Sequence, residues 1–258
     1  MPLSFIGIGL TGLGLTIEGL REAQKAMFIY IDTYTSMIPH NSLTKLKEVI
    51  GKEITPLSRS DLEGRGMEKI IELAKKSNVA LLIAGDPFIA TTHIALKIEA
   101  IKAGVHVKYI PSASIQSVIP GLTGLSSYKF GRSATIVFKD KGPSDTAYEA
   151  IRDNKIRGLH TLLYLDLDAE TSRAMTIREA LEILLEIEER RREEVMKSDM
   201  LIVGIARACW DNCLVKALKL SEALDYDFGP PPHTLVVPGP LHFMELEALK
   251  VLAGLEVR

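Results

Sequence analysis

Residues 79–93 read VALLIAGDPFIATTH, and this stretch decides the fold. Val79, Ala80, Leu81, Leu82 and Ile83 form an apolar run without polar alternation, as a strand covered on both faces requires. The run stops at Gly85-Asp86-Pro87. Gly85 permits close backbone approach, Asp86 brings an acceptor to the carboxyl end of the strand, and Pro87 locks φ of the next turn. Thr91-Thr92 then stands where a helix begins, so one of the two is expected as its cap. Ligands of open α/β sheets bind at such carboxyl ends. The stretch is read as a candidate binding turn, while an isolated Gly-Asp-Pro also serves as a plain strand-to-helix connection.

The same alternation runs through the first hundred residues. Strands are predicted at 3–9, 28–32, 53–57, 79–84 and 105–110, with helices at 16–26, 42–50, 62–76 and 91–103, the pattern of a helix-covered parallel sheet. Residues 111–128, rich in Ser, Gly and Pro, are predicted to form a hinge and a ligand-lining loop. Strands follow at 133–138, 161–166, 200–206, 214–218 and 234–237, and helices at 145–155, 176–197 and 243–253. Because 200–206 and 214–218 leave no room for a crossover helix, the second sheet is expected to be partly antiparallel. The expected fold class is therefore α/β in two domains, 1–112 with a mostly parallel sheet and 113–258 with a mixed one. The Glu-Arg run at 186–194 reads as a solvated helix face with i,i+4 ion pairs.

Composition excludes several function classes. A hydrophobic content of 47% in 258 residues supports a large buried core. No apolar run approaches the roughly 20 residues that span a bilayer, and the N-terminus lacks a secretory pattern, so a cytoplasmic protein without a membrane partner is expected. A net charge of −2 argues against direct nucleic-acid binding. Cys209 and Cys213 are the only cysteines; they lack further ligands for structural zinc and the third thiolate of a radical iron–sulfur motif, so no metal site is expected. Gln occurs only at Gln24 and Gln116, a thermophile-like composition.

Gly7-Ile8-Gly9-Leu10-Thr11-Gly12 is a literal GxGxxG, and Asp32 ends the next strand where a dinucleotide fingerprint places its ribose-binding acid. That reading makes the chain a nicotinamide oxidoreductase. Against it, Gly14 prolongs the loop and delays the helix to about Thr16, and Asp32 runs into the polar segment Thr33-Tyr34-Thr35-Ser36.

Eight segments, taken in order, point elsewhere: FIGIGL (5–10), YTS (34–36), AGDPFIATTH (84–93), PSASI (111–115), YKFGRSAT (128–135), GLHTLLYLDLDAE (158–170), ARA (206–208) and PPHTLVVPGPLH (231–242). Together they resemble the diphthine synthase family over nearly the whole chain. The resemblance implies a tetrapyrrole-methylase-like pair of α/β domains with S-adenosyl-L-methionine in the cleft between them. It further implies methylation of the amine on the 3-amino-3-carboxypropyl-histidine of translation elongation factor 2, in diphthamide biosynthesis, by a homodimer. The thermophile-like composition favours the archaeal type, which stops at a trimethylammonium product.

Carried over position by position, the resemblance puts the cofactor contacts at Leu10, Asp86, Ile89, Ser114, Ile115, Leu165, Ala208 and His233. Leu10 and Ile89 offer apolar cover, Asp86 and Ser114 polar groups, and Leu165, Ala208 and His233 come from the second domain. No general base stands out. Lys129, Arg132 and Lys139 are candidates for meeting an acidic rim or the substrate carboxylate. Two departures from the family pattern are Cys209-Trp210 after ARA, expected to narrow the cleft or reshape its rim, and a first loop, 11–16, without acidic residues. The alternatives are another methylase of this fold acting on a tetrapyrrole or ribosomal RNA, and a non-catalytic S-adenosylmethionine-binding module.

Overall fold

The computed structural model describes residues 1–142, 144–168, 171 and 173–256; Ala169 and Glu170 of the GLHTLLYLDLDAE segment lie outside the described residues. The chain divides into two compact units, Met1–Ile115 and Gln116–Arg258.

The first unit runs β1 (Pro2–Gly7), α1 (Ile17–Lys25), β2 (Phe28–Asp32), α2 (Ser42–Ile50), β3 (Thr55–Leu57), α3 (Arg59–Leu62), α4 (Arg65–Lys76), β4 (Val79–Ile83), α5 (Ile94–Lys102) and β5 (His106–Ile110). Its sheet has the order β3-β2-β4-β1-β5, and every pairing is parallel. Alternate side chains explain the unbroken apolar run. Val79, Leu81 and Ile83 join the core beneath α4 and α5 with Leu3, Phe5, Ile70, Ala74 and Leu96, whereas Ala80 and Leu82 join Ile6, Ile8, Ala23, Ile29 and Leu46 beneath α1 and α2. Each fully buried aliphatic side chain contributes about 1.5–3 kcal/mol.

The helix starts come from local chemistry. Thr16 caps α1 by accepting the Gly19 N–H at 3.0 Å. The helix expected at 91–103 begins only at Ile94, because the Thr91 hydroxyl donates to the Pro87 carbonyl and Thr92 pairs with the Tyr34 hydroxyl; neither threonine caps it.

The second unit holds the rest of α6 (Ile115–Thr123), then β6 (Ala134–Ile136), α7 (Thr146–Ile156), β7 (Thr161–Leu165), β8 (Leu167–Asp168), β9 (Arg173–Ala174), α8 (Ile177–Arg191), β10 (Leu201–Ala206), β11 (Leu214–Lys219), α9 (Leu220–Ala223), β12 (His233–Val237) and α10 (Phe243–Ala253). The sheet order is β11-β10-β12-β7-β6, with β6 and β7 parallel and the other pairs antiparallel, a mixed sheet as expected. Two expectations are corrected. Within the segment read as a loop at 111–128, Ile115–Thr123 folds into α6, with Ile119 and Thr123 buried and Pro120 inside the helix. The helix expected to reach 197 ends at Arg191, where Arg192 turns left-handed at φ 54°.

The Glu-Arg run does more than face solvent. Glu188 accepts the N–H groups of Glu194, Val195 and Met196 at 2.8 Å each and the Tyr148 hydroxyl at 2.8 Å, which turns the chain back after α8. Arg191 reaches Asp145 and Glu149 around the start of α7.

A buried carboxylate organises another part of this unit. Glu245 is 2% exposed and accepts from Ser126 N–H at 2.9 Å, Lys129 Nζ at 2.5 Å, His160 Nε2 at 3.0 Å and His242 N–H at 2.8 Å. Because His160 Nδ1 accepts the Gly239 N–H, the ring proton lies on Nε2. Burial alone would raise the Glu245 pKa; the Lys129 ammonium and the surrounding donors overcome it and hold the carboxyl far below its ordinary range. A depressed folded-state pKa stabilises the fold above the unfolded value of about 4.3 and loses that contribution as pH falls. Glu245→Ala is expected to cost about 3–5 kcal/mol in denaturant unfolding. Glu245→Gln is expected to flatten the acid limb of a stability-versus-pH curve below about pH 4.3; an unchanged limb would contradict the assignment.

Candidate cofactor-binding site

The turn after β4 is shaped by its own carboxylate. Asp86 is 5% exposed; its Oδ1 accepts the Phe88 N–H at 3.0 Å, and its Oδ2 accepts the Tyr109 hydroxyl at 2.7 Å and the Ser112 N–H at 3.3 Å. Tyr109 belongs to β5, two strands away from β4, so the carboxylate ties the ends of both strands together across β1. Burial, reinforced by the hydrogen bond to Asp86 and by that carboxylate's charge, pushes the Tyr109 phenol up to about 12, which keeps it a donor at neutral pH. The Phe88 ring packs on Phe5 and Tyr109, and the Lys97 ammonium lies 4.5 Å above it.

Glycine supplies the close approach. Gly85 has φ +69°, its N–H donates to the Gly9 carbonyl at 2.9 Å, and the Gly9 N–H donates back at 3.3 Å. A Cβ on Gly7 would stand 2.7 Å from Ser112 Cβ and 2.8 Å from the Gly85 carbonyl, so no side chain fits there. Around Gly85, a Cβ would meet Ser114 Cα at 3.7 Å and Leu10 Cδ2 at 3.8 Å. Leu10, Asp86 and Ser114 thus converge on one spot. Ile89 sits half-exposed in the turn beside Ala90, whose φ of 56° is strained for a residue with a Cβ, and Ile115 follows Ser114 as the first residue of α6.

Three further residues meet at one end of the second sheet. Ala206 and His233 are register partners, the Arg207 N–H donates to the Pro232 carbonyl at 2.7 Å, and Ala208 follows, nearly buried. Leu165 ends β7 one residue beyond Tyr164, whose partner is Thr234. His233 Nδ1 accepts the Ile177 N–H at 3.2 Å, which places the ring proton on Nε2. That Nε2 is buried and without a hydrogen-bond partner among the described residues. Burial, with the Arg207 charge adding to it, pushes the imidazole pKa down against the opposing Gly229 and Pro230 carbonyls, so the ring is neutral.

The GxGxxG segment does not build a dinucleotide site. Gly7 and Gly9 pack against Ser112 and Gly85, and α1 begins at Ile17, five residues past Gly12. Asp32 is buried and already occupied by the Tyr34 and Thr35 N–H groups and the Thr35 hydroxyl.

Comparison with known proteins agrees. The family profile "Tetrapyrrole (Corrin/Porphyrin) Methylases" matches residues 2–224. Diphthine synthase of Methanocella arvoryzae is 42% identical over 99% of both chains, and that of Methanocaldococcus jannaschii is 43% identical over 94% of this chain and 97% of its own. A solved structure titled "Crystal structure of diphthine synthase" superposes with a TM-score of 0.88 at 39% identity, covering 98% of this chain and 96% of that one. The chain belongs to the diphthine synthases of the tetrapyrrole methylase family. It is an S-adenosylmethionine-dependent methyltransferase.

The residues fit that family's cofactor. The close approach of Gly7 and Gly85 leaves no room for side chains there, and His233 Nε2 is buried without a hydrogen-bond partner among the described residues. Among the described residues no group of three His, Cys, Asp or Glu could hold a metal, and no helix is long and apolar enough to cross a membrane.

Asp86 also uses its carboxylate to hold the turn. Lys129 is taken up by Glu245 and the Pro240 carbonyl, and Lys139 pairs with Glu186, which leaves Arg132 as the exposed cation of the three without a side-chain partner among the described residues. Tyr109 was missed in the sequence because an aromatic on an edge strand carries no local mark of a hydrogen bond to a turn 23 residues earlier. Cys209 is exposed at φ 65° and Trp210 half-buried in the turn closed by Arg207.

Asp86→Ala leaves the Tyr109 hydroxyl and two N–H groups without their acceptor. It is expected to weaken S-adenosylhomocysteine binding about tenfold or more by titration calorimetry; unchanged affinity would remove the turn from the site.

Proposed function

We infer that Leu10, Asp86, Ile89, Ser114 and Ile115 of the first unit and Leu165, Ala208 and His233 of the second hold S-adenosylmethionine, and that the acceptor is the amine of a 3-amino-3-carboxypropyl-histidine on translation elongation factor 2. The observation that carries the reading is the convergence of Leu10, Asp86 and Ser114 on the left-handed Gly85 at the carboxyl end of β4. Full-length relatives named diphthine synthase support the acceptor. A net charge of −2 weighs against ribosomal RNA.

The bound cofactor supplies an activated methyl group on a positively charged sulfur. The chain's own contribution is placement. Leu10 and Ile89 give apolar cover, the backbone around Gly85 and Ser114 gives polar contacts, and the His233 N–H supplies a donor whose neutral ring adds no charge repelling a cation. Holding two reactants as a near-attack pair removes about 7–11 kcal/mol of barrier, so no side-chain nucleophile is required. An α-amino group has a pKa of about 8, and a dry site lowers it further, so a sizeable unprotonated fraction exists at neutral pH. Arg132 is the exposed cation suited to the substrate's carboxylate.

The protein acts in the cytoplasm as a homodimer on this reading. The exposed stripe Ile94, Ile98 and Ile101 on α5 supports a self-association surface.

Elongation factor 2 carrying the modified histidine, incubated with methyl-labelled cofactor and digested for mass spectrometry, is expected to gain three methyl groups at that residue. Cofactor binding without mass gain would favour a sensor module. His233→Phe is expected to lower the yield through weaker cofactor binding, by about tenfold in affinity; full binding in that variant would remove His233 from the site.

A further inference from the structure

Arg207 is a buried cation of the second unit that the cofactor contacts above do not use. It follows β10, whose last residue Ala206 pairs with His233, and its own N–H donates to the Pro232 carbonyl at 2.7 Å. The residue is 6% exposed, and its φ of 50° is left-handed. Its guanidinium donates to three backbone carbonyls. Nε reaches Asn212 at 3.2 Å in the same hairpin loop, and Nη1 reaches Phe228 at 3.0 Å and also Pro230.

The segment before β12 is shaped to receive that group. At Gly229, where φ is +68°, a Cβ would stand 3.3 Å from Arg207 Nη1 and 3.4 Å from Nη2, so a side chain there would crowd the guanidinium. The Gly229 N–H is held by Asp227 Oδ1 at 2.7 Å. Phe228, whose carbonyl the guanidinium takes, sets its ring edge-on to the His233 ring at a centroid distance of 6.2 Å. A hairpin that only reversed the chain would carry Gly or Asn at a left-handed position, and burying a guanidinium is unfavourable unless its donors are used. Here one side chain joins the loop after β10 to the segment before β12. Both flank a cofactor contact: Ala208 follows Arg207, and His233 follows Pro232.

We propose that Arg207 is a positioning residue for the cofactor: by collecting the carbonyls of Asn212, Phe228 and Pro230 it fixes the turn that presents Ala208 and the segment that presents His233. This rests on the reading that Ala208 and His233 hold S-adenosylmethionine. Arg207 acts through those segments and touches neither reactant, so its loss shows in cofactor affinity rather than in the methyl-transfer step. It also leaves a mark on the histidine. Burial pushes the His233 pKa down; of the charged groups facing the ring, Arg207 adds to that shift and Asp227 opposes it, so removing the guanidinium raises the pKa.

The test compares full-length wild type with His233→Phe, Arg207→Met, Arg207→Gln and Arg207→Lys. S-adenosylhomocysteine is titrated by calorimetry, kcat and KM for S-adenosylmethionine are measured on elongation factor 2 carrying the modified histidine, and the His233 ring is titrated by NMR. Arg207→Met keeps a buried stem and removes the charge and every donor. It is expected to raise Kd and KM about tenfold or more, to change kcat less than about threefold, and to raise the His233 pKa. Arg207→Lys, which keeps the charge and N–H donors, is expected to recover affinity to within about threefold of wild type. Arg207→Gln keeps one amide donor group without charge; it is expected to lose affinity by about threefold to tenfold, and it carries the test if Arg207→Met does not fold. Wild-type affinity in Arg207→Met, or in Arg207→Gln where it stands in, alongside loss in His233→Phe would overturn the positioning role and leave the cofactor site standing. Equal losses in the Met and Lys variants, or an unmoved His233 pKa, would reduce Arg207 to packing and overturn it as well. Unchanged binding in His233→Phe would overturn the cofactor reading of His233 and the positioning role with it.

Discussion

The Asp86 carboxylate is where the loops of the first unit converge. Parallel strands deliver their connections to one side of the sheet, and the loops after β1, β4 and β5 compete for the same space. A single buried acceptor resolves the competition by taking the Phe88 N–H from its own turn, the Tyr109 hydroxyl from β5 and the Ser112 N–H beyond it. With those three donors fixed, Gly85 can hold its left-handed turn against Gly9, and Leu10 and Ser114 are drawn to the same point. A charge-assisted bond contributes about 1.5–3 kcal/mol, so the cluster outweighs the strain of the left-handed Ala90 nearby.

The three buried histidines differ in how fully they are satisfied. His160 uses both nitrogens, accepting from Gly239 and donating to Glu245, and it belongs to the packing of the second unit. His233 uses one, through the Ile177 N–H. His93 uses neither.

Much of the first unit was legible because its signals are local. The apolar run of β4, Thr16 as a cap and Gly85 as a turn residue each follow from one residue type in one backbone setting. The closeness of β10 and β11 was legible too, since too few residues separate them for a crossover. The misses came from contacts between distant residues. Pro120 and the surrounding Ser and Gly disguised α6, whose helix is secured by burial of Ile119 and Thr123. The end of α8 depends on Glu188 capturing three N–H groups beyond the helix, which no periodicity records. Lys129 read as a substrate contact because nothing near it in sequence announces Glu245, 116 residues later. Likewise Asp32 fitted a ribose-binding acid by spacing alone, while its donors and His93 already surround it.

The most direct measurement is a crystal structure of the protein grown with S-adenosylhomocysteine. The expected result places the ligand against the backbone of residues 85–89 and beside Leu10 and Ser114, with the Asp86 carboxylate still bonded to Tyr109. A ligand lying instead along the glycine segment at 7–14, with the Asp86 turn untouched, would contradict it.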